Sequence, residues 1–251
     1  MKILNYFNIR TFLALVISQL AAFFAIHYQI KFQLDLLLFS LCVVFPLHFS
    51  MQAAFKRRDR ALEYFSLFKA GSMSLHYSFQ ISEDLPPEKK KEAGNLLKGM
   101  TSHLFDQLAN RTLGYEAFQQ KLNEIFRFIE VYREQISKRN TLRMIRYLRD
   151  ITEGSVYLTS LIRHRTIAGL RFYGIFFVLI FPMLQAPIIL YRLGDLAPSW
   201  AIHIFLALTS LILVTLSNFQ FMIEYPFDQN GIDNIHLRDF DLNIDTVKEN
   251  A

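Results

Sequence analysis

Apolar residues are concentrated in four long stretches of this chain, with a polar region between the second stretch and the third. Each stretch carries almost no charge, and together they cover about residues 11–30, 34–55, 172–191 and 199–223. A helix needs about 20 apolar residues to cross a hydrocarbon core about 30 Å thick. The pattern therefore predicts four transmembrane helices, arranged as one hairpin within residues 1–55 and a second within residues 172–223.

Between the hairpins, residues 56–171 follow the period of amphipathic helices. Apolar side chains recur there at steps of three and four residues, as in Leu113, Phe118, Leu122, Ile125, Phe126, Ile129 and Ile136. This spacing places them on one face of a helix, and no segment alternates as a strand would. We expect an all-α membrane protein in which residues 56–171 form a cytoplasmic helical region and residues 224–251 a cytoplasmic tail.

The second apolar stretch is expected to continue as a helix beyond the membrane. Neither Gly nor Pro occurs between Leu47 and Ala70, and apolar residues continue there among Arg and Lys residues. Gly71 and Ser72 are the first point at which this helix is expected to weaken.

The positive charges of the chain lie where membrane topology would place them. Lys56, Arg57 and Arg58 follow the second stretch directly, whereas the two short connections hold only the cations Lys31 and Arg192. By the positive-inside rule both termini and the central region are cytoplasmic, in a multi-pass protein of the cell (inner) membrane. The net charge of +5 therefore needs no nucleic-acid partner, and a hydrophobic fraction of 52% is too high for a soluble domain.

Sequence motifs of common enzymes are absent. The chain contains neither G-x-S-x-G nor H-E-x-x-H, and Gly94 and Gly99 are followed by Met100 where a phosphate loop needs Lys. The single cysteine, Cys42, excludes an intrachain disulfide and a cysteine metal site. We therefore expect a protein that is not an enzyme.

Three segments resemble the bestrophin family of ion channels. The first runs from Leu41 to Arg58 and reads LCVVFPLHFSMQAAFKRR, an apolar stripe followed by small and polar residues and then Arg. The second is His164-Arg165-Thr166, and the third is Pro226-Phe227 with the acidic turn that follows it. The similarity covers about residues 41–66, 160–182 and 219–245. It implies an ion channel that assembles as a homopentamer in the lipid bilayer.

By this resemblance Leu41, Phe45 and Phe49 would form the narrow neck of a central pore. Their spacing alone puts them on one helix face, where large apolar residues usually meet lipid or neighbouring helices. A single four-helix chain encloses no lumen, so a pore requires a ring of subunits, which the family builds as pentamers. Three stacked apolar rings would gate by dewetting, because an ion must shed its hydration where no polar group replaces it.

Further residues are candidates for the pore. Pro46 cannot donate a backbone hydrogen bond to the carbonyl of Cys42, so the helix should bend there, either as a structural kink or as a gating hinge. His48 and Gln52 are polar residues in or near the span, and they would either line the pore or hydrogen-bond a neighbouring helix. The resemblance places Val156 at a cytoplasmic aperture, without the prolines that flank that residue in bacterial members.

The acidic turn resembles the calcium clasp of animal bestrophins but lacks most of its carboxylates. Asn230 and Asp233 keep oxygen-bearing side chains at the outer positions of the cluster. Ca²⁺ takes six to eight oxygen ligands, so the sequence favours turn formation over a calcium site, and no cofactor is expected. The permeant ions would be small and monovalent, either chloride and other anions, as the family suggests, or cations.

Two other classes of function stay open. One is a membrane-anchored helical scaffold or sensor that binds a protein partner through residues 113–151. The other is a small transporter whose binding site would include polar residues near the middle of the membrane, such as Gln19 or Gln185.

Overall fold

The computed structural model describes residues 8–111, 114–164, 168–193, 198–227 and 235–242, without the side chains at positions 36, 39, 168, 170, 171 and 193. It is 87% helix, and no strand occurs among these residues, which confirms the all-α prediction. The elements are α1 (Ile9–His27), α2 (Leu36–Ile81), α3 (Pro87–Asn110), α4 (Tyr115–Val131), α5 (Arg133–Ile136), α6 (Lys138–Arg163), α7 (Ala168–Leu193), α8 (Ser199–Glu224) and a 3₁₀ helix (Leu237–Phe240).

Local chemistry accounts for several helix ends. The N-terminus of α1 is capped by Asn8, whose Oδ1 accepts a hydrogen bond from the backbone N–H of Arg10 at 2.9 Å. Helix α3 begins at Pro87, where the missing N–H costs nothing because the first N–H groups of a helix have no intrahelical partner. It ends where Arg111 adopts a left-handed φ of 56°.

The chain divides into two compact units. The first unit comprises Met1–Lys56 and Thr166–Glu224, and the second comprises Arg57–Arg165 and Tyr225–Ala251. Helix α2 contributes residues to both units, since it is one continuous helix of 46 residues. At about 1.5 Å per residue it is about 69 Å long, roughly twice the thickness of a hydrocarbon core.

Three helices of the first unit are long and apolar enough to cross a membrane, judged by length and composition. They are Ile9–His27, Phe172–Arg192 within α7, and Ser199–Glu224. Only 28%, 50% and 28% of their apolar windows are buried within the chain, so much of their apolar surface faces outward. The remaining predicted span, residues 34–55, falls on the first half of α2.

Small residues and cross-helix hydrogen bonds hold the first unit together. The buried face of α1 consists of small side chains, namely Thr11, Ala14, Ser18, Ala22 and Ala25. They allow α8 to approach closely, so that Ser210 Oγ donates to the carbonyl of Ala14 at 3.1 Å and Asn218 Nδ2 donates to Thr11 Oγ1 at 3.0 Å. Such contacts suit a membrane helix, because lipid chains supply no hydrogen-bond partners.

The second unit has a single large hydrophobic core. Helix α2 supplies aromatic and aliphatic side chains that are fully buried, among them Phe65, Phe68, Leu75 and Phe79. Helices α3, α4 and α6 face them with Leu97, Met100, Leu104, Leu108, Phe118, Ile125, Met144, Ile151 and Leu158. Apolar residues that recur at steps of three and four in the central region therefore pack in this core.

Two glycines bring α2 and α6 close together in the second unit. A Cβ added to Gly71 would lie 3.1 Å from the carbonyl oxygen of Tyr147, and one added to Gly154 would lie 2.9 Å from that of Tyr64. Helix α2 continues through Gly71 to Ile81 without a break, so the expected weakening at this position is wrong. The glycine permits a close helix approach, which the sequence pattern could not distinguish from a helix end.

The segment after α8 crosses the core of the second unit. Phe227 and Leu237 are buried in that core, and the ring of Phe240 stacks on Phe65 with a centroid distance of 4.7 Å. Lys69 Nζ donates to the carbonyl of Asp239 at 2.8 Å. This segment therefore fastens the C-terminal part of the chain to α2.

Replacement of Gly154 by Ala tests the close approach of α2 and α6. The added methyl group would overlap the backbone of α2, so we expect Gly154→Ala to lower the free energy of unfolding by about 1–3 kcal/mol. Denaturant titration of the purified protein, followed by circular dichroism, measures the change. Gly99→Ala in α3 is the matched control, since its Cβ would meet nothing within 4 Å and should stabilise the helix by up to about 1 kcal/mol. A Gly154→Ala variant as stable as the parent would contradict the packing.

Candidate functional site

The first half of α2 buries one side within its own unit. Val43, Leu47, Ser50 and Ala54 are all less than 9% exposed and recur at steps of four, three and four residues. Val43 and Leu47 pack in a cluster with residues of α1, α7 and α8, such as Ala14, Val178, Phe181, Leu213 and Val214. On the same side, Ser50 Oγ accepts a hydrogen bond from Gln220 Nε2 of α8. This side of α2 therefore packs against other helices of the same chain.

The three proposed neck residues lie roughly on the opposite side of α2. Leu41, Phe45 and Phe49 are 38%, 52% and 60% exposed. At about 100° per residue, each is rotated by roughly 130–170° from the middle of the buried side. The rings of Phe45 and Phe49 are nearly parallel, with centroids 6.3 Å apart and an interplanar angle of 19°. Three large apolar side chains thus form a continuous stripe that the chain itself leaves uncovered.

Pro46 lies inside α2 and interrupts its backbone hydrogen bonding. The carbonyl of Cys42, four residues earlier, accepts a hydrogen bond from Tyr173 Oη of α7 at 3.1 Å. Tyr173 therefore replaces the donor that the proline lacks, and it does so from a neighbouring helix. Its ring also packs against Phe177, with centroids 4.2 Å apart. The interruption of hydrogen bonding at Pro46 is consequently compensated by a specific cross-helix contact.

His48 and Gln52 bond to each other along α2. Gln52 Nε2 lies 3.0 Å from His48 Nε2, and both side chains are exposed. Which atom of this contact donates depends on the tautomer of the His48 ring. The pair lies on the same broad face as Leu41 and Phe45. Within the described part of the chain, neither residue hydrogen-bonds to another helix.

Val156 is exposed on α6 in the second unit, between two cavities that it helps to line. It is 46% exposed. One cavity of about 600 Å³ includes Tyr64, Arg149 and Glu153, and the other, of about 540 Å³, lies toward the C-terminal end of α6. The rings of Tyr64 and Tyr157 stack at 3.8 Å, which fixes the wall of the first cavity. Val156 therefore adjoins two concave surfaces of the second unit.

Arg57 caps the C-terminus of α6. Its two guanidinium nitrogens Nη1 and Nη2 donate to the carbonyls of His164 and Leu161, the latter at 2.8 Å. These carbonyls belong to the group that has no donor within the helix. Arg60, one turn further along α2, hydrogen-bonds Tyr157, and this bond raises the pKa of the Arg60 guanidinium. Sequence reasoning assigned these arginines only to membrane topology, since their partners lie about 100 residues away in the chain.

Two candidates from the acidic turn, Asn230 and Asp233, lie outside the described residues, as do Arg165 and Thr166. Gln19 forms two hydrogen bonds to His203, one from Nε2 to the backbone carbonyl at 3.2 Å and one between Oε1 and the ring Nδ1 at 2.9 Å. Among the described residues, no group of three His, Cys, Asp or Glu side chains could hold a metal ion.

Comparison with known proteins identifies the fold. The sequence matches no protein-family model and no curated protein. In three dimensions, 94% of the chain matches 94% of a bacterial bestrophin homolog from Klebsiella pneumoniae, with a TM-score of 0.75 and 15% identity. One single-substitution variant of that homolog matches with a TM-score of 0.72, 16% identity and 94% coverage of both chains. Another matches 97% of this chain and 98% of that chain, with a TM-score of 0.74 and 15% identity. The chain therefore has the bestrophin fold over nearly its whole length.

The Tyr173 contact can be tested with a double-mutant cycle. Tyr173→Phe removes the donor to the Cys42 carbonyl, so we expect a loss of about 1–3 kcal/mol in the free energy of unfolding. In a Pro46→Ala background the backbone N–H at position 46 can donate instead, and the same substitution should cost only a few tenths of a kcal/mol. Denaturant titrations of the four proteins give both values.

Tyr191→Phe serves as the control for this cycle, because Tyr191 Oη makes only a long exposed contact of 3.4 Å to Gln33. It should change stability by less than about 0.5 kcal/mol in either background. An equal loss from Tyr173→Phe in both backgrounds would show that this hydroxyl does not compensate for the proline.

Proposed function

We propose that this chain is a member of the bestrophin family and forms one subunit of a homo-oligomeric ion channel. The observation that carries the proposal is the uncovered stripe of Leu41, Phe45 and Phe49 on α2. It lies opposite a side of the same helix that is already buried within the subunit. The fold shared with a bacterial bestrophin homolog supports the same reading. Five copies of the chain around an axis would turn the stripe into three stacked apolar rings.

Conduction through such a neck depends on hydration. A narrow apolar tube holds water poorly, and an ion inside it loses hydration without gaining a polar ligand. Small rotations of α2 would widen or close the tube. Pro46 would provide the point of bending. The hydrogen bond from Tyr173 to the carbonyl of Cys42 would restrain this movement of α2. We assign Pro46 to the gating hinge on this basis.

The His48 and Gln52 pair would add a polar step to the conduction path. Both side chains are exposed on α2 close to Phe49, whose ring centroid lies 6.1 Å from that of His48. An ion at the ring of Phe49 would lie beside His48, and Gln52 would follow within one turn of α2. Small monovalent ions are the proposed substrates, with chloride and other anions suggested by the family and cations as the alternative. Val156, exposed on α6, is the proposed cytoplasmic aperture.

The proposed topology has four membrane spans in the cell (inner) membrane and both termini in the cytoplasm. Residues 1–55 and 172–223 would form the two hairpins, residues 56–171 the cytoplasmic region and residues 224–251 the tail. Three apolar helices of sufficient length support this arrangement, and the first half of α2 would supply the remaining span. Lys56, Arg57 and Arg58 would then lie on the positive, cytoplasmic side.

A second candidate function is a membrane-anchored scaffold. An apolar groove of about 220 Å³ on α4 and α6 supports it, with Phe126, Leu142 and Ile145 being 47%, 59% and 44% exposed. Such a surface fits a protein partner. A scaffold would release no ions from liposomes and would co-purify with a soluble protein that Leu142→Glu displaces.

Shortening the neck side chains should increase conduction. Phe45→Ala or Phe49→Ala widens the apolar rings and lowers the cost of hydrating them, so ion flux into liposomes should rise severalfold. Phe205→Ala is the matched control, because Phe205 is a similarly exposed aromatic residue, 50% exposed, on α8. It should leave the flux unchanged. Unaltered flux in both neck variants, with assembly intact by size exclusion, would refute the neck.

Cysteine cross-linking tests whether the stripes of different subunits converge. Phe45→Cys in a Cys42→Ser background should form disulfide-linked dimers on oxidation, since a narrow ring brings equivalent positions within disulfide distance. A ring of five leaves one subunit unpaired, so dimer formation should stop at about four-fifths of the chains. Phe205→Cys in the same background should stay monomeric on a denaturing gel. Complete conversion to dimers would contradict a pentamer, and equal cross-linking at both positions would contradict a central neck.

A further inference from the structure

The cavity near the C-terminal end of α6 has a polar wall that the proposed channel function does not use. Its volume of about 540 Å³ falls within the range of small-molecule sites. The side chains that decide its chemistry are Gln107, Tyr115, Glu116, Thr159, Ser160 and Arg163. They come from α3, α4 and α6, all within the second unit.

Two hydroxyl groups of α6 line this cavity, and each already donates its proton to a carbonyl of the same helix. Ser160 Oγ donates to the carbonyl of Tyr157 at 2.7 Å. Thr159 Oγ1 donates to the carbonyl of Ser155 at 2.8 Å. A hydroxyl has one proton and two acceptor lone pairs. Both oxygens can therefore only accept a hydrogen bond from a molecule in the cavity.

The hydroxyl of Tyr115 also uses its proton within the chain. Its Oη lies 3.3 Å from Ser155 Oγ, and either atom could donate by distance alone. Ser155 Oγ, however, donates its proton to the carbonyl of Thr152 at 2.9 Å. Tyr115 must then be the donor, and its oxygen offers only lone pairs to the cavity. The cavity wall thus carries three hydroxyl groups that act as acceptors.

Gln107 adds an acceptor that the described residues leave unused. The side chain is 4% exposed, and its Oε1 accepts no hydrogen bond from the described residues. Its Nε2 donates to the carbonyl of Gly114. The amide cannot be turned the other way, because Oε1 would then face that carbonyl oxygen and both atoms are acceptors. Buried polar atoms are nearly always paired in proteins. Gln107 thus adds a buried acceptor beside the cavity that no described residue satisfies.

Two opposite charges complete the wall. Glu116 and Arg163 both line the cavity and are exposed, and neither forms an ion pair in the part of the chain that the structure describes. An acceptor-rich wall with a carboxylate suits an ammonium group, whereas a guanidinium suits a carboxylate. We propose that this cavity binds a small zwitterion of the α-amino acid type, with its ammonium group toward Glu116 and Gln107 and its carboxylate toward Arg163.

This site would exist whether or not the protein conducts ions, because it rests on the chemistry of one cavity in the second unit. Val156 lines the same cavity. A bound zwitterion would therefore lie against the residue proposed as the aperture.

Isothermal titration of the full chain in detergent tests the proposal with three probes. Alanine carries both charges, ethylamine only the ammonium group, and propionate only the carboxylate. Alanine should bind, and each single-charge probe should bind at least about tenfold more weakly because it loses one charge-assisted contact. Absence of heat from alanine at millimolar concentrations, or equal binding of all three probes, would overturn the proposal.

Substitutions in the two neighbouring cavities locate the site. Glu116→Gln and Arg163→Gln should each weaken alanine binding by about tenfold or more. Glu153→Gln and Arg149→Gln are the matched controls, since both residues are exposed and line the other cavity beside Val156. They should leave the affinity within about twofold. Circular dichroism and size exclusion verify that all four variants fold. An equal loss in the controls would place binding elsewhere and refute the assignment.

Discussion

The rest of this structure depends on the burial of one side of α2. In the first unit that side consists of Val43, Leu47, Ser50 and Ala54, which recur at steps of four, three and four residues. In the second unit Ala61, Phe65, Phe68, Leu75 and Phe79 have the same kind of spacing and are completely buried. Along the first half of α2 the opposite side keeps Leu41, Phe45 and Phe49 exposed. The exposed stripe of the proposed neck is thus a direct result of how the subunit forms its own core.

Polar groups that the helices leave unpaired are satisfied by side chains distant in sequence. Tyr173 supplies the donor that Pro46 removes from α2, and Arg57 supplies donors to the last carbonyls of α6. Tyr225 does the same for the carbonyl of Leu108 near the end of α3. Unsatisfied backbone groups are costly where water is excluded, so these contacts restrict where α2 and α6 can bend or end.

The two proposed sites have opposite chemistry for a physical reason. The stripe on α2 contains apolar side chains and suits a function in which water is expelled. The cavity at the C-terminal end of α6 contains oxygen acceptors and two charges, Glu116 and Arg163, that form no ion pair among the described residues, which suits a polar ligand. Both sites lie where a helix surface is not used for the core. The proposed neck consists of apolar surface on α2, whereas the cavity holds hydrogen-bond acceptors that the described residues of the second unit leave available.

The sequence by itself determined the helical class, the apolar stretches and the placement of Leu41, Phe45 and Phe49 on one helix face, because these depend on composition and on the period of 3.6 residues. It also located Pro46 and the carbonyl that the proline leaves without a donor. Tertiary structure decided which side of α2 is buried, that Tyr173 supplies the missing donor, and that Gly71 serves close packing. Tertiary structure alone gathered Gln107, Glu116 and Arg163 around one cavity. These features depend on residues up to 170 positions apart, and no local pattern records which of them meet.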